Sequence, residues 1–375
     1  MSCTQYKMFF NDKAATIAQL ESFETITVNQ EMDHAWVAHL EVPLCTDDKG
    51  NWTGESETWF QPMNRLRIEV AVQGGSFAPL IDGPIASLHH DMHMEPGQSI
   101  GHVEVHDDGY LLHRDEKVQL FSGTTTYDDI AQQVYDANSD VIKSTQIDTV
   151  PAADNPNDAN IVLRGTPMQF LHHLARRLHH KWHAFVLPGS KPHQSIGCFQ
   201  KNPIGKPSLP GMVLKGDKPN LLYLRPSNHA GRPAVYRGGS VSLSDATSTT
   251  STADLNQIDR LGTDAPGATP AKRMLRPGRS RNLNLDEAVL SASDQAGHCL
   301  NAEGEVLKDT YSGVLQPYQN VMVTGVNGRL SGLWTVRQVT HTLTRNSYGQ
   351  TFGLHRDAES AGTGSSSTAS PLSIF

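Results

Sequence analysis

Eighteen histidines in 375 residues are the first feature that could do chemistry, and metal ligation or proton transfer is the chemistry they suggest. In "FLHHLARRLHHKWH", His172, Arg176, His179 and His183 fall on one helical face, with His173, Arg177 and His180 on an adjacent one. Metal ligands at i and i+4 need two facing neutral imidazoles. Here arginines occupy the intervening sites, and neither HExxH nor a carboxylate stands on the helix. A solvated basic face or a subunit contact is the expectation. "LHHDMHM" groups His89, His90, Asp91 and His93, and on a strand His89, Asp91 and His93 share a side. No cysteine partner is near in sequence, and no metal is assigned there. "HDDGY" carries two carboxylates, but adjacent aspartates before glycine mark a hairpin turn more often than an acid/base pair. Nucleophile-elbow, phosphate-loop and dinucleotide fingerprints are absent from the sequence. The residues therefore assign no catalytic, cofactor-binding or metal site, and the chain is not expected to be an enzyme.

The elements that would position such groups are mostly strands. In "AWVAHLEVPL", Trp36, Ala38, Leu40, Val42 and Leu44 share one face, and in "RLRIEVAV", Leu66, Ile68, Val70 and Val72 alternate with Arg65, Arg67 and Glu69. Asp108-Gly109 sits between two strand-like runs, a hairpin signal. The pattern then becomes helical. Thr126 caps a helix whose stripe is Tyr127, Ile130, Ala131 and Val134; Thr166 caps another with Pro167 at its first position and Phe170, Leu171, Leu174, Leu178 and Trp182 buried. Strands return from about 216 and end in "GLWTVRQVTHTLTRNSYGQTFGLHR", where Gly349 offers the positive φ of a tight connection. The expected division is a first β-barrel over 1–117, an α/β module over 118–215, a second β-barrel over 216–359 and a flexible tail over 360–375. Residues 245–281, "DATSTTSTAD" to "KRMLRPGRSR", read as a long loop or arm.

Composition narrows the classes. With 37% hydrophobic and 19% charged residues the chain is globular, and its net charge of −8 argues against general affinity for nucleic-acid backbone. Cys3, Cys45, Cys198 and Cys299 are far apart and form neither a zinc knuckle nor a disulfide framework. The start lacks a basic region followed by an apolar run, so no signal peptide is expected, and no stretch approaches the ~20 apolar residues of a membrane span.

Taken in order, "FSGTTTYDDIAQQV", "LRGTPMQFLHHLARRLHHKWHAFV" and "VLQPYQNVMVTGVNGRLSGLWTVRQVTHTLTRNSYGQTFGLHR" resemble the phage late control gene D family of tail hub proteins. The chain is also similar to the N-terminal part of type VI secretion spike proteins, over most of residues 5–358. The resemblance implies a mainly β fold with an α+β insertion: two tube-protein-like barrels plus a small α/β module, three chains forming a trimeric ring. It implies a structural baseplate hub of a contractile injection system (phage tail, tailocin or relative) that joins a sixfold inner tube to a threefold spike. The implied partners are the other two hub subunits, a separate spike protein, the inner tube protein, baseplate wedge proteins, and a tape-measure protein or cargo. No cofactor, specific nucleic acid or membrane insertion is implied. Assembly in the cytoplasm followed by incorporation into the virion or particle is expected. The "GTGSSSTAS" tether ends in Pro371, Leu372, Ile374 and Phe375, an apolar tip suited to docking on the spike or a neighbouring hub subunit. Two other classes compete: a receptor- or glycan-binding tail protein using Trp52 and Trp59, and a metal-dependent hydrolase using His89–His93.

Overall fold

The computed structural model describes residues 5–46, 50, 52, 61–95, 97–151, 160–178, 182–201, 206–229, 231–241, 247–264, 269–275, 285–308, 310–345 and 347–359. The fold is mainly β; its longer helices lie in a middle insertion and one C-terminal segment. The N-terminal strands are β1 (Gln5–Phe10), β2 (Lys13–Ala14), β3 (Thr25–Glu31), β4 (Val37–Pro43), β5 (Arg65–Ala71), β6 (Ala78–Asp91) and β7 (Ile100–His106), with helix α1 (Ile17–Glu21) before β3. The middle segment runs β8 (Lys117–Phe121), α2 (Tyr127–Asp136), β9 (Ile142–Ile147), β10 (Ile161–Gly165), α3 (Pro167–Leu178), β11 (Trp182–Leu187) and β12 (Ser195–Lys201). The C-terminal part comprises β13 (Met212–Val213), β14 (Leu221–Asn228), β15 (Ala234–Val241), β16 (Ser248–Thr252), β17 (Ala271–Met274), α4 (Leu285–Gly297), β18 (Leu300–Val306), β19 (Asn320–Thr324), β20 (Gly332–Thr344) and β21 (Ser347–Arg356).

Burial alternates with period two in β4, whereas β5 is buried on both faces. Trp36, Ala38, Leu40, Val42 and Leu44 are all buried, as are Leu66, Ile68, Val70 and Val72. The middle segment has its own core, in which Ile130, Val134, Leu171, Leu174 and Phe199 meet. Both of its long helices start where their caps stand: Thr126 Oγ1 accepts from the amide of Asp129, and Thr166 Oγ1 from that of Gln169.

The two β-rich halves are joined rather than merely adjacent. Among the described residues a 13-stranded sheet runs β14-β18-β21-β20-β3-β4-β7-β6-β5-β1-β2, with β19 paired to β20 and β13 to β19. The link is the antiparallel pairing of β20 with β3, from Gln338 opposite Glu31 to Thr344 opposite Thr25. The hairpin β20–β21 therefore spans both cores. Its base puts Trp334, Val336, Val339, Phe352 and Leu354 into the C-terminal core, and its far end puts Leu343 and Tyr348 into the N-terminal one.

Four local expectations are corrected. Gly349 does not make the hairpin connection. It lies in β21 opposite Thr342, and the chain reverses after Thr344, whose partner is Ser347. Asp108–His113 is a 3-10 helix rather than a hairpin turn, because Asp107 caps it by accepting from the Gly109 amide. Trp182 and His183 open β11 instead of continuing the helix, which ends at Leu178. Residues 245–281 are not all loop: β16 pairs antiparallel with β15 and β17 parallel with its other edge. Serine and threonine in an edge strand need only ladder bonds, which composition does not disclose.

Candidate functional site

The histidines disperse when the chain folds. His89 and Asp91 share a face of β6, with His89 Nε2 2.9 Å from Asp91 Oδ1. The third member is not His93 but His102, directly across on β7, 3.4 Å from Asp91 Oδ2. His89 and Asp91 are exposed and His102 is half-buried, and the His93 amide instead donates to Ser99 Oγ. On α3 the His172 ring contacts the carbonyl of Ala184, and His173 Nε2 accepts from Arg177 Nε. His179 and His180 lie outside the described residues, as do Trp59 and the tip residues Pro371, Leu372, Ile374 and Phe375. Trp52 is half-buried in a β-bridge to Thr46.

Two polar clusters have built geometry. The first joins the N-terminal sheet to the middle segment. Arg67, which alternates with Leu66 and Ile68 and so stands on the opposite face of β5, is 1% exposed. Its guanidinium donates to Glu69 at 2.7 Å, to Asp82 at 3.0 Å and to the carbonyl of Gly189 at 2.7 Å. The loop between β11 and β12 thus covers the face of β5 that alternation assigns to water. Arg65 bridges Asp82 and Asp108, and Ser195 Oγ donates to Asp108 as well. This is why Asp108 turns inward. Asp107 beside it is fully buried; burial pushes its pKa up to about 7, although the amides of Trp36 and Gly109 donate to it.

The second cluster lines a cavity of about 570 Å³ where all three parts of the chain meet. Asp33 follows β3, His183 opens β11, Arg337 lies on β20, and His298 and His355 stand beyond α4 and near the end of β21. His183 Nδ1 is 2.8 Å from Asp33 Oδ1. Burial works to raise the Asp33 pKa, but the hydrogen bond and charge of His183 outweigh it and hold the carboxyl below its usual value. The His298 and His355 rings are 4.8 Å apart. Burial first, then His298, His183 and Arg337, depress the His355 pKa well below the ordinary imidazole value. His183 Nε2, His298 Nδ1 and His355 Nε2 are enclosed without a hydrogen-bond partner among the described residues. At the cavity's edge Asp294, His298 and Asp357 converge. The sequence marks none of these three; Asp294 and His298 are four residues apart across the end of α4.

No family model matches the sequence, and no curated protein does. Solved structures do. A 43 kDa tail protein of prophage MuSo2 from Shewanella oneidensis superposes with a TM-score of 0.66 at 12% identity, covering 95% of this chain and 100% of that one. A tail protein from Neisseria meningitidis MC58 gives 0.58 at 12% identity, with 94% and 96% covered. The E. coli c3393 protein, a type VI secretion component with structural similarity to the T4 bacteriophage tail proteins gp27 and gp5, gives 0.54 at 10% identity, with 93% and 76% covered. The fold of this chain is therefore that of phage tail proteins and of their type VI secretion counterparts, in keeping with the tail hub family its motifs resemble.

Proposed function

We propose that this chain is a structural, non-enzymatic tail protein: the baseplate hub of a contractile injection system, trimeric in the assembled particle, joining a sixfold inner tube to a threefold spike. The observation that carries this reading is the end-to-end likeness to phage tail proteins at TM-scores of 0.66 and 0.58, with nearly all of both chains covered. The shared sheet adds physical support, since two β-rich halves locked edge to edge by β3 and β20 make a rigid unit. Three such units supply six β-rich halves, enough repeats to face a sixfold tube while the ring keeps threefold symmetry for the spike. Segments 1–117, 118–215 and 216–359 are the proposed working units, with spike, tube, wedge and tape-measure or cargo proteins as partners. The chain assembles in the cytoplasm and ends in the virion or particle. No helix among the described residues is long and apolar enough to cross a membrane.

The test is assembly. Native mass spectrometry of the chain mixed with its neighbouring spike and tube proteins should show three hub chains per complex. Monomers alone, under conditions where spike and tube are folded, would count decisively against the hub.

A further inference from the structure

Helix α4 ends at Gly297, so His298 follows it directly, four residues after Asp294, and Asp357 meets them from the exit of β21. One ligand atom from each lies within 4.8 Å of the other two. Bonds of ~2.0–2.4 Å to a shared ion place any two donors at most ~4–4.8 Å apart, so a small inward adjustment closes the set. Both carboxylates are deeply buried, Asp294 at 4% and Asp357 at 3% exposure. The amide of Leu261 donates to Asp357 Oδ1 at 2.9 Å and fixes that carboxylate's orientation. An independent observation points the same way. His298 Nδ1 is enclosed with no hydrogen-bond partner among the described residues, and so is Nε2 of His355, whose ring packs against it. Buried imidazole nitrogens are normally hydrogen-bonded or metal-bound.

We propose that Asp294, His298 and Asp357 bind one divalent transition-metal ion of the Zn²⁺ class, leaving a fourth position to water. Two carboxylates balance the ion's charge, and the imidazole favours this class over Mg²⁺ or Ca²⁺. The ion fastens the end of α4 to the last strand of the shared sheet. It is held within one chain, so the proposal stands apart from the hub reading.

The test uses tag-free full-length protein, stripped with chelator and titrated with Zn²⁺ and with Co²⁺. One equivalent per chain should bind saturably, with a visible Co²⁺ absorption band and a raised Tm. His298→Ala and Asp294→Asn should each weaken binding about tenfold or more, while His89→Ala leaves it unchanged. Absence of saturable binding to the wild-type chain overturns the proposal whatever the variants do. So does one-equivalent binding that survives His298→Ala or disappears in His89→Ala.

Discussion

His341 is the residue on which the joint between the two halves turns. It is fully buried on β20, with Nδ1 2.8 Å from the Tyr348 hydroxyl and Nε2 3.2 Å from Gln30 Oε1. The Gln30 amide group donates to Leu80 O, so its oxygen takes the Nε2 proton and the tyrosine donates to Nδ1. Burial depresses the His341 pKa to about 3. An unfolded chain binds this proton near pH 6.5 and the folded chain does not, so stability falls as pH drops from about 6.5 toward about 3. The slope is at most about 1.4 kcal/mol per pH unit. Urea unfolding at pH 7 and pH 5 should show that loss in the wild type, and His341→Gln should flatten it; equal slopes in both would remove His341 from the account. The sequence exposed this residue only as a polar position in a strand. Its burial depends on Gln30, 311 residues away, and no local pattern encodes such a partner.

At the scale of elements, legibility followed locality. Caps and helical stripes were readable because Thr126, Thr166 and their partners lie within one turn of each other. The inward-facing strand residues were readable from alternation alone. The burial of Arg67 is not legible in alternation, because the cover on its face comes from Gly189 and Lys191, in another segment. Asp108 was misjudged for the same reason, its carboxylate being drawn in by Arg65 and Ser195. The cavity residues Asp33, His183, His298 and His355 come from four separate stretches, so no local pattern joins them in sequence. The close approach of β6 to the turn after β7 gives a prediction at this scale. A Cβ on Gly83 would lie 2.0 Å from the carbonyl oxygen of His106. Backbone on both sides cannot yield cheaply, so Gly83→Ala should destabilise the chain by about 1–3 kcal/mol or more, read as a lower urea midpoint. A midpoint within error of wild type would mean that the two segments are not so tightly apposed.

At the scale of the whole molecule, the hub reading assigns a task to the apolar tip at 371–375. Burying Leu372, Ile374 and Phe375 on a spike would contribute ~1.5–3 kcal/mol each before ordering costs, and three copies would add avidity. Deleting residues 371–375 should lower spike occupancy in assembled particles while leaving hub trimers intact. Unchanged occupancy would remove the tip from the docking scheme. The pairing of β3 with β20 also constrains how the molecule is made. Thr25–Glu31 leaves the ribosome some 300 residues ahead of its partner Gln338–Thr344. At synthesis rates of roughly 5–20 residues per second that wait is about 15–60 s. Until then the β3 edge that β20 will cover has unpaired amides and carbonyls, an invitation to wrong strand pairing. Nascent chains stalled before residue 332 should therefore engage holdase chaperones or aggregate, and release from them should coincide with synthesis of the final hairpin.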